Sequence, residues 1–118
     1  MSVDEFEAEA AEALEQEIWV DEAVGDDLGW FFVDTELELQ GETFDAEVDF
    51  NLSESGVSLL YAEITIDPSD EHRKSILKEE ATILEHGDDS ALYEYYPEES
   101  EVGILLDELR DVHAKTFD

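Results

Sequence analysis

Residues 44–52, Phe-Asp-Ala-Glu-Val-Asp-Phe-Asn-Leu, constrain this chain more than any other stretch. Phe44, Ala46, Val48, Phe50 and Leu52 alternate without a break against Asp45, Glu47, Asp49 and Asn51. A period of two puts the first set on one side of a β-strand and the second on the other. The segment therefore has to be a half-buried strand whose second face is almost wholly anionic. The flanking segments repeat the pattern. In 30–39, Phe31, Val33, Thr35, Leu37 and Leu39 share a face; in 57–66, Ser58, Leu60, Ala62, Ile64 and Ile66 alternate against Val57, Leu59, Tyr61 and Glu63. Gly41 and Gly56 mark the connections, so an antiparallel meander is expected.

Helical spacing brackets the meander. Val3, Phe6, Ala10, Ala13 and Leu14 form one stripe over 3–17, with Ser2 and Glu5 spaced as a capping box. Residues 18–24, with Trp19, read as a strand or an extended lead-in, and 25–29 as a turn. After the meander, Asp67-Pro68 reads as a helix start, with Ile76, Leu77, Ala81, Ile83 and Leu84 as its apolar stripe and Gly87 as its stop. A Tyr-rich strand over 90–96 follows, broken by Pro97. Val102, Leu105, Leu106, Leu109 and Val112 suit a last helix, although 102–106 could instead pair back on 93–96 as a strand. The expected fold is α+β, a single domain over 1–118, with an antiparallel sheet of three to four strands and helices packed on one face in two layers.

Charge sets the second constraint. The chain has 118 residues, 36 of them Asp or Glu and 5 Lys or Arg, for a formal net charge of −31. Every base lies at or beyond Arg73, so the carboxylates of residues 1–72 have no local cation. With 42% aliphatic and aromatic residues, the chain has the apolar content that a disordered acidic tail lacks. Nucleic acid and anionic membrane surfaces would both repel it. Residues 1–5 supply neither a basic nor an apolar leader region, and no stretch reaches transmembrane length, so a cytoplasmic protein is expected, in the host cytoplasm if phage-encoded.

Catalytic signals are sparse. There is no Cys, no glycine-rich phosphate loop and no nucleophile elbow. His72, His86 and His113 fall in no metal-binding spacing, and Asp26-Asp27 and Asp88-Asp89 do not extend to a calcium loop, so no metal, cofactor or enzymatic activity is expected. His86 is expected at a helix C-terminus, where a cation suits the dipole.

The meander carries the candidate site. A 40–43 loop pairing Leu39 with Phe44 sets Glu38 opposite Asp45, Glu36 opposite Glu47 and Asp34 opposite Asp49 on the outer face. Like charges in cross-strand positions destabilise a sheet. Residues on one face of a strand recur every ~6.7 Å, twice the strand rise, comparable to the separation of phosphates along a nucleic-acid strand. Asp34, Glu36, Glu38, Asp45, Glu47 and Asp49 are therefore the first candidates for partner contacts. Glu5, Glu9 and Glu12 of the first helix are the second, with Tyr61, Tyr93 and Tyr95 as candidate aromatic anchors.

In size and charge density the chain resembles phage and plasmid DNA-mimic inhibitors, such as anti-restriction proteins and uracil-DNA glycosylase inhibitors. That resemblance implies a non-enzymatic protein, of anti-restriction, anti-CRISPR or nuclease- and repair-inhibitor type, that fills the groove of a basic nucleic-acid-binding protein and does not itself bind nucleic acid. A homodimer is compatible with it. Two alternatives stay open: a halophile's cytoplasmic domain whose acidity is adaptation to salt, and a small acidic secretion-type chaperone, because the element order also resembles the type III secretion chaperones.

Overall fold

In the computed structural model, which describes residues 3–22 and 28–117, the chain runs α1 (Val3–Leu14), β1 (Asp21–Glu22), β2 (Gly29–Leu39), β3 (Glu42–Ser53), β4 (Gly56–Ile66), α2 (Glu71–Glu80), β5 (Thr82–His86), β6 (Ala91–Tyr95), a 3₁₀ turn (Glu99–Val102) and α3 (Gly103–Phe117). All strand pairs are antiparallel, and the spatial order is β1-β2-β3-β4-β6-β5. The fold is the expected α+β arrangement. Its sheet is larger than three to four strands because two-residue β1 and five-residue β5 extend its edges.

The alternation in the meander does what its chemistry requires. Phe31, Val33, Leu37, Phe44, Val48, Phe50 and Leu52 are buried on one face. There the Phe31 and Phe50 rings stack with centroids 5.6 Å apart, and Phe6 of α1 meets Phe31 at 5.3 Å. Phe117 of α3 closes on Phe6 at 6.2 Å. Full burial of each such side chain contributes about 1.5–3 kcal/mol. Ile76 and Leu77 of α2, with Leu106, Leu109 and Val112 of α3, belong to the same core. The core thus lies between the inner sheet face and the helices.

Loop chemistry fixes the register, and here the structure departs from the sequence expectation. Gln40 and Gly41 both have positive φ, 50° and 82°, as a two-residue hairpin of the primed type requires. Leu39 then faces Glu42 and Leu37 faces Phe44, a shift of two residues from the expected pairing. A shift of two keeps every side chain on its face, because the strand period is two. It changes which acids meet. In β4 the alternation changes phase: Asp49 pairs with Tyr61 and Phe50 with Leu59, leaving Leu60 as a bulge. Val57 and Ile64 can therefore both be buried, while Ser58 and Leu60 are exposed rather than sharing a face with Ala62. At the other edge, a Cβ on Gly29 would lie 2.2 Å from the Asp21 carbonyl oxygen, so the pairing of β1 with β2 needs glycine there.

The segment after the meander shows the clearest difference. The second helix begins at Glu71, capped by Asp70, whose carboxylate accepts from the Arg73 N–H at 3.1 Å, and not at Pro68. It ends at Glu80. Ala81 is extended, and Thr82, Ile83 and Leu84 form β5 against β6, so His86 lies in an edge strand and not at a helix C-terminus. The β-branched pair Thr82-Ile83 favours strand, and pairing to Tyr93 and Glu94 outweighs the helical spacing of Ile83 and Leu84. Residues 102–106 lie in the last 3₁₀ turn and α3 rather than in a strand, as the continuation to Val112 favours. Ser2 of the expected capping box, the 25–27 turn and Asp26-Asp27 lie outside the described residues.

Candidate functional site: the open face of the sheet

The helices pack against one side of the sheet and leave the other open. On the open side, the register brings four carboxylates into one row across four strands. Asp34 of β2 faces Glu47 of β3, Glu47 faces Glu63 of β4, and Glu63 faces Glu94 of β6. Neighbouring strands lie ~4.8 Å apart, so the row is roughly 14 Å long. One step towards the Gln40-Gly41 turn, Glu36 faces Asp45. Asp34, Glu36, Asp45, Glu47 and Glu63 line an open hollow of about 930 Å³ together with Thr65 and Leu92.

The expected ladder is thus partly reassembled. Asp34, Glu36, Asp45 and Glu47 form two acid-opposite-acid pairs with changed partners, Asp34 with Glu47 and Glu36 with Asp45. Glu38 drops out, because it faces Thr43, and Asp49 faces Phe32. Glu63 and Glu94 were missed: the β4 bulge shifts the β3–β4 register to set Glu63 opposite Glu47, and the β4–β6 pairing joins segments that no local pattern connects. A signal was present in both, Glu63 between Ala62 and Ile64 and Glu94 between Tyr93 and Tyr95, each an acid flanked by buried residues. Glu5, Glu9 and Glu12 are exposed on α1, which packs on the covered face through Phe6, so they lie on the opposite side of the sheet from the row.

The charge in the row is largely uncompensated. Among the described residues, ion pairs join His72 and Arg73 to Glu42, Arg73 to Asp70, and Arg110 to Glu99; none involves Asp34, Glu36, Asp45, Glu47, Glu63 or Glu94. The electrostatic consequence is visible in Glu47. Partial burial raises its pKa first, and the charges of Asp34, Glu63 and Asp49 raise it further. Asp49 is also raised, chiefly by burial, while the Tyr61 hydroxyl bonded to it acts in the opposite sense. In return Tyr61 is pushed up to about 12, mainly by that hydrogen bond.

Of the candidate aromatic anchors, only Tyr61 lies on the open face. Tyr93 is a core residue, 2% exposed, and Tyr95 donates its hydroxyl to Glu101 at 2.7 Å next to the last helix. The open face instead carries Trp30, Phe32, Leu60 and Tyr96, four exposed side chains outside the expected anchors. Tyr96 donates to the Glu94 carboxylate, and its ring lies 6.4 Å from that of Tyr61.

Some acids have structural work. Glu7 accepts from the Val20 N–H at 2.7 Å and ties the extended segment to α1. Gln16 uses its amide twice, donating to the Asp34 carbonyl at 3.0 Å and accepting from the Asp34 N–H at 2.9 Å. It thereby satisfies the β2 edge beyond the reach of β1.

Among the described residues, no group of three or more His, Asp or Glu side chains is arranged to hold a metal ion. No helix there is long and apolar enough to cross a membrane. What fold and site define is therefore a two-layer α+β protein with one bare, anionic and partly aromatic sheet face. Comparison with protein-family models, curated proteins and solved structures found no match.

Proposed function

We propose that the open face binds a cationic protein surface, and that the protein acts without catalysis as a DNA mimic, occupying the basic groove of a nucleic-acid-binding protein. One observation carries this reading: Asp34, Glu47, Glu63 and Glu94 stand side by side, with no Lys or Arg among the described residues paired to them, on the face the helices leave bare. Each like-charge pair works against the isolated fold. A partner that supplies cations converts the same row into an attractive surface and steers association. Acidity that served solvation alone would not need to align carboxylates in cross-strand register beside exposed aromatic rings.

The test is capture on the immobilised protein from a lysate of its source cells, at about 0.15 M salt, with duplex DNA as competitor. The expected result is retention of nucleic-acid-binding proteins that duplex DNA releases and that the Glu47→Gln, Glu63→Gln double variant retains poorly. Retention indifferent to DNA and RNA, or equal on the double variant, would overturn the mimic reading.

A further inference from the structure

Beside the carboxylate row the open face turns aromatic. Phe32 faces Asp49, and Asp49 faces Tyr61, one step along the strands from Asp34, Glu47 and Glu63. Tyr96 approaches Tyr61, Trp30 follows two residues from Phe32, and Leu60 stands out at the bulge. Trp30, Phe32, Leu60 and Tyr96 are 44%, 45%, 43% and 67% exposed. Single exposed apolar side chains are ordinary, but four on one uncovered sheet face form an interaction surface. Acids run through this patch: Asp49 is bonded to Tyr61 within it, and Tyr96 is bonded to Glu94 at its border.

Rings that abut carboxylates discriminate between cations. A guanidinium is planar and weakly hydrated, stacks on an aromatic face, and can bond a carboxylate through two N–H groups at once. An ammonium is a strongly hydrated point charge and gains less from the ring. The chain uses this chemistry internally, where the Arg73 guanidinium lies 5.0 Å from the centre of the Phe44 ring while pairing with Glu42 and Asp70.

We infer that the open face selects an arginine-bearing segment of its protein partner over a lysine-bearing one, with arginines stacking on Trp30, Phe32 and Tyr96 while they pair with Asp49, Glu47 and Glu94. This rests on the proposal that the open face meets a cationic protein. Charge complementarity names the cation, and the rings name its type.

Octa-arginine and octa-lysine peptides, equal in charge, are the probes. Their affinities are measured at about 0.15 M salt on the full chain carrying Trp19→Phe, so that Trp30 fluorescence alone reports binding. Octa-arginine should bind about tenfold more tightly, the order expected of stacking added to pairing, and should shift Trp30 emission. Phe32→Ser and, separately, Tyr96→Ser should erase most of that preference, weakening octa-arginine binding far more than octa-lysine binding; Tyr96 lies beyond the end of β6, so its variant keeps the fold. Equal affinities for the two peptides, both weakened by Glu47→Gln with Glu63→Gln, would overturn the arginine inference and leave the acidic face in place. Affinities indifferent to the two Gln substitutions, or no binding by either peptide, would remove both.

Discussion

The two carboxylate clusters at β3 are built in opposite ways. At the start of the strand, Glu42 is paired with Arg73 and His72, and Arg73 also holds Asp70, covers the Phe44 ring and donates to the Thr43 carbonyl. Five residues further along, Glu47 lies between Asp34 and Glu63 with no cation among the described residues paired to it. The first cluster finds its cations within the chain; the second has none paired to it among the described residues. The chain holds only five Lys and Arg residues, and Arg73 serves helix docking at the hairpin end, not the row. The contrast teaches that local acidity says little by itself: what separates a structural carboxylate from a candidate contact is whether the fold brings a cation to it.

The largest expected effect concerns whether the uncompensated cluster needs molar salt. If it exists for a partner, the inner-face core should suffice, and the protein should unfold cooperatively from a folded state in about 0.15 M KCl, where charges are screened over ~8 Å. Circular dichroism against KCl concentration measures this. A chain that folds only near molar KCl would make both clusters products of salt adaptation.

Next in size is the compensated cluster. Arg73→Ala removes a ring contact, a backbone hydrogen bond and two partly exposed ion pairs, and should lower stability by about 1–2 kcal/mol in urea denaturation, since exposed pairs alone contribute little. No loss would mean that this cluster is as uncompensated in effect as the row.

A smaller effect follows pH. Burial and neighbouring charge raise Glu47, and burial raises Asp49, so the folded chain holds these protons more tightly than the unfolded chain. Where folded-state proton binding exceeds the unfolded, stability falls as pH rises. Lowering pH from 7 towards the raised values should therefore stabilise the protein. Asp67 opposes this at lower pH: the Ser69 N–H and hydroxyl hold its pKa down, and what that contributes is lost as pH falls through its folded value. The urea midpoint should climb as pH falls from 7 towards the ordinary carboxylate range, about 4, and turn over at lower pH, where Asp67 takes up its proton. A steady decline from pH 7 would contradict the electrostatics of the row.

The clusters also differ in how far they could be read from sequence. Strict alternation over 44–52 gave the strand, its buried face and the anionic character of the other face. Asp45, Glu47 and Asp49 followed from it, and Asp34 and Glu36 from the same pattern in 30–39. Their partners did not, because a loop of two residues and a loop of four both preserve the faces and only the positive φ of Gln40 and Gly41 decides between them. Glu63 depended on the β4 bulge that shifts the hairpin register, and Glu94 on a non-local strand pairing. The open-face aromatics were hidden for a different reason: Leu60 sits at a bulge that breaks the period, and Tyr96 lies past the end of its strand. Arg73 illustrates the same limit, since its cluster joins a helix to a hairpin 30 residues away. The β5 error came from β-branched residues at helical spacing, which tertiary pairing resolved as strand.

The most direct test compares stability and affinity in one variant. Glu47→Gln with Glu63→Gln keeps the shape of the row and removes its central like-charge pair. Urea denaturation should show a gain of a few tenths of a kcal/mol up to about 1 kcal/mol, the range for cross-strand pairs. Surface-binding kinetics with the captured partner at about 0.15 M salt should show slower association and weaker affinity for the same variant. Stability up with affinity down is the predicted result; a variant that binds as tightly as the parent, or is less stable than it, would contradict the claim that this row is held open for a partner.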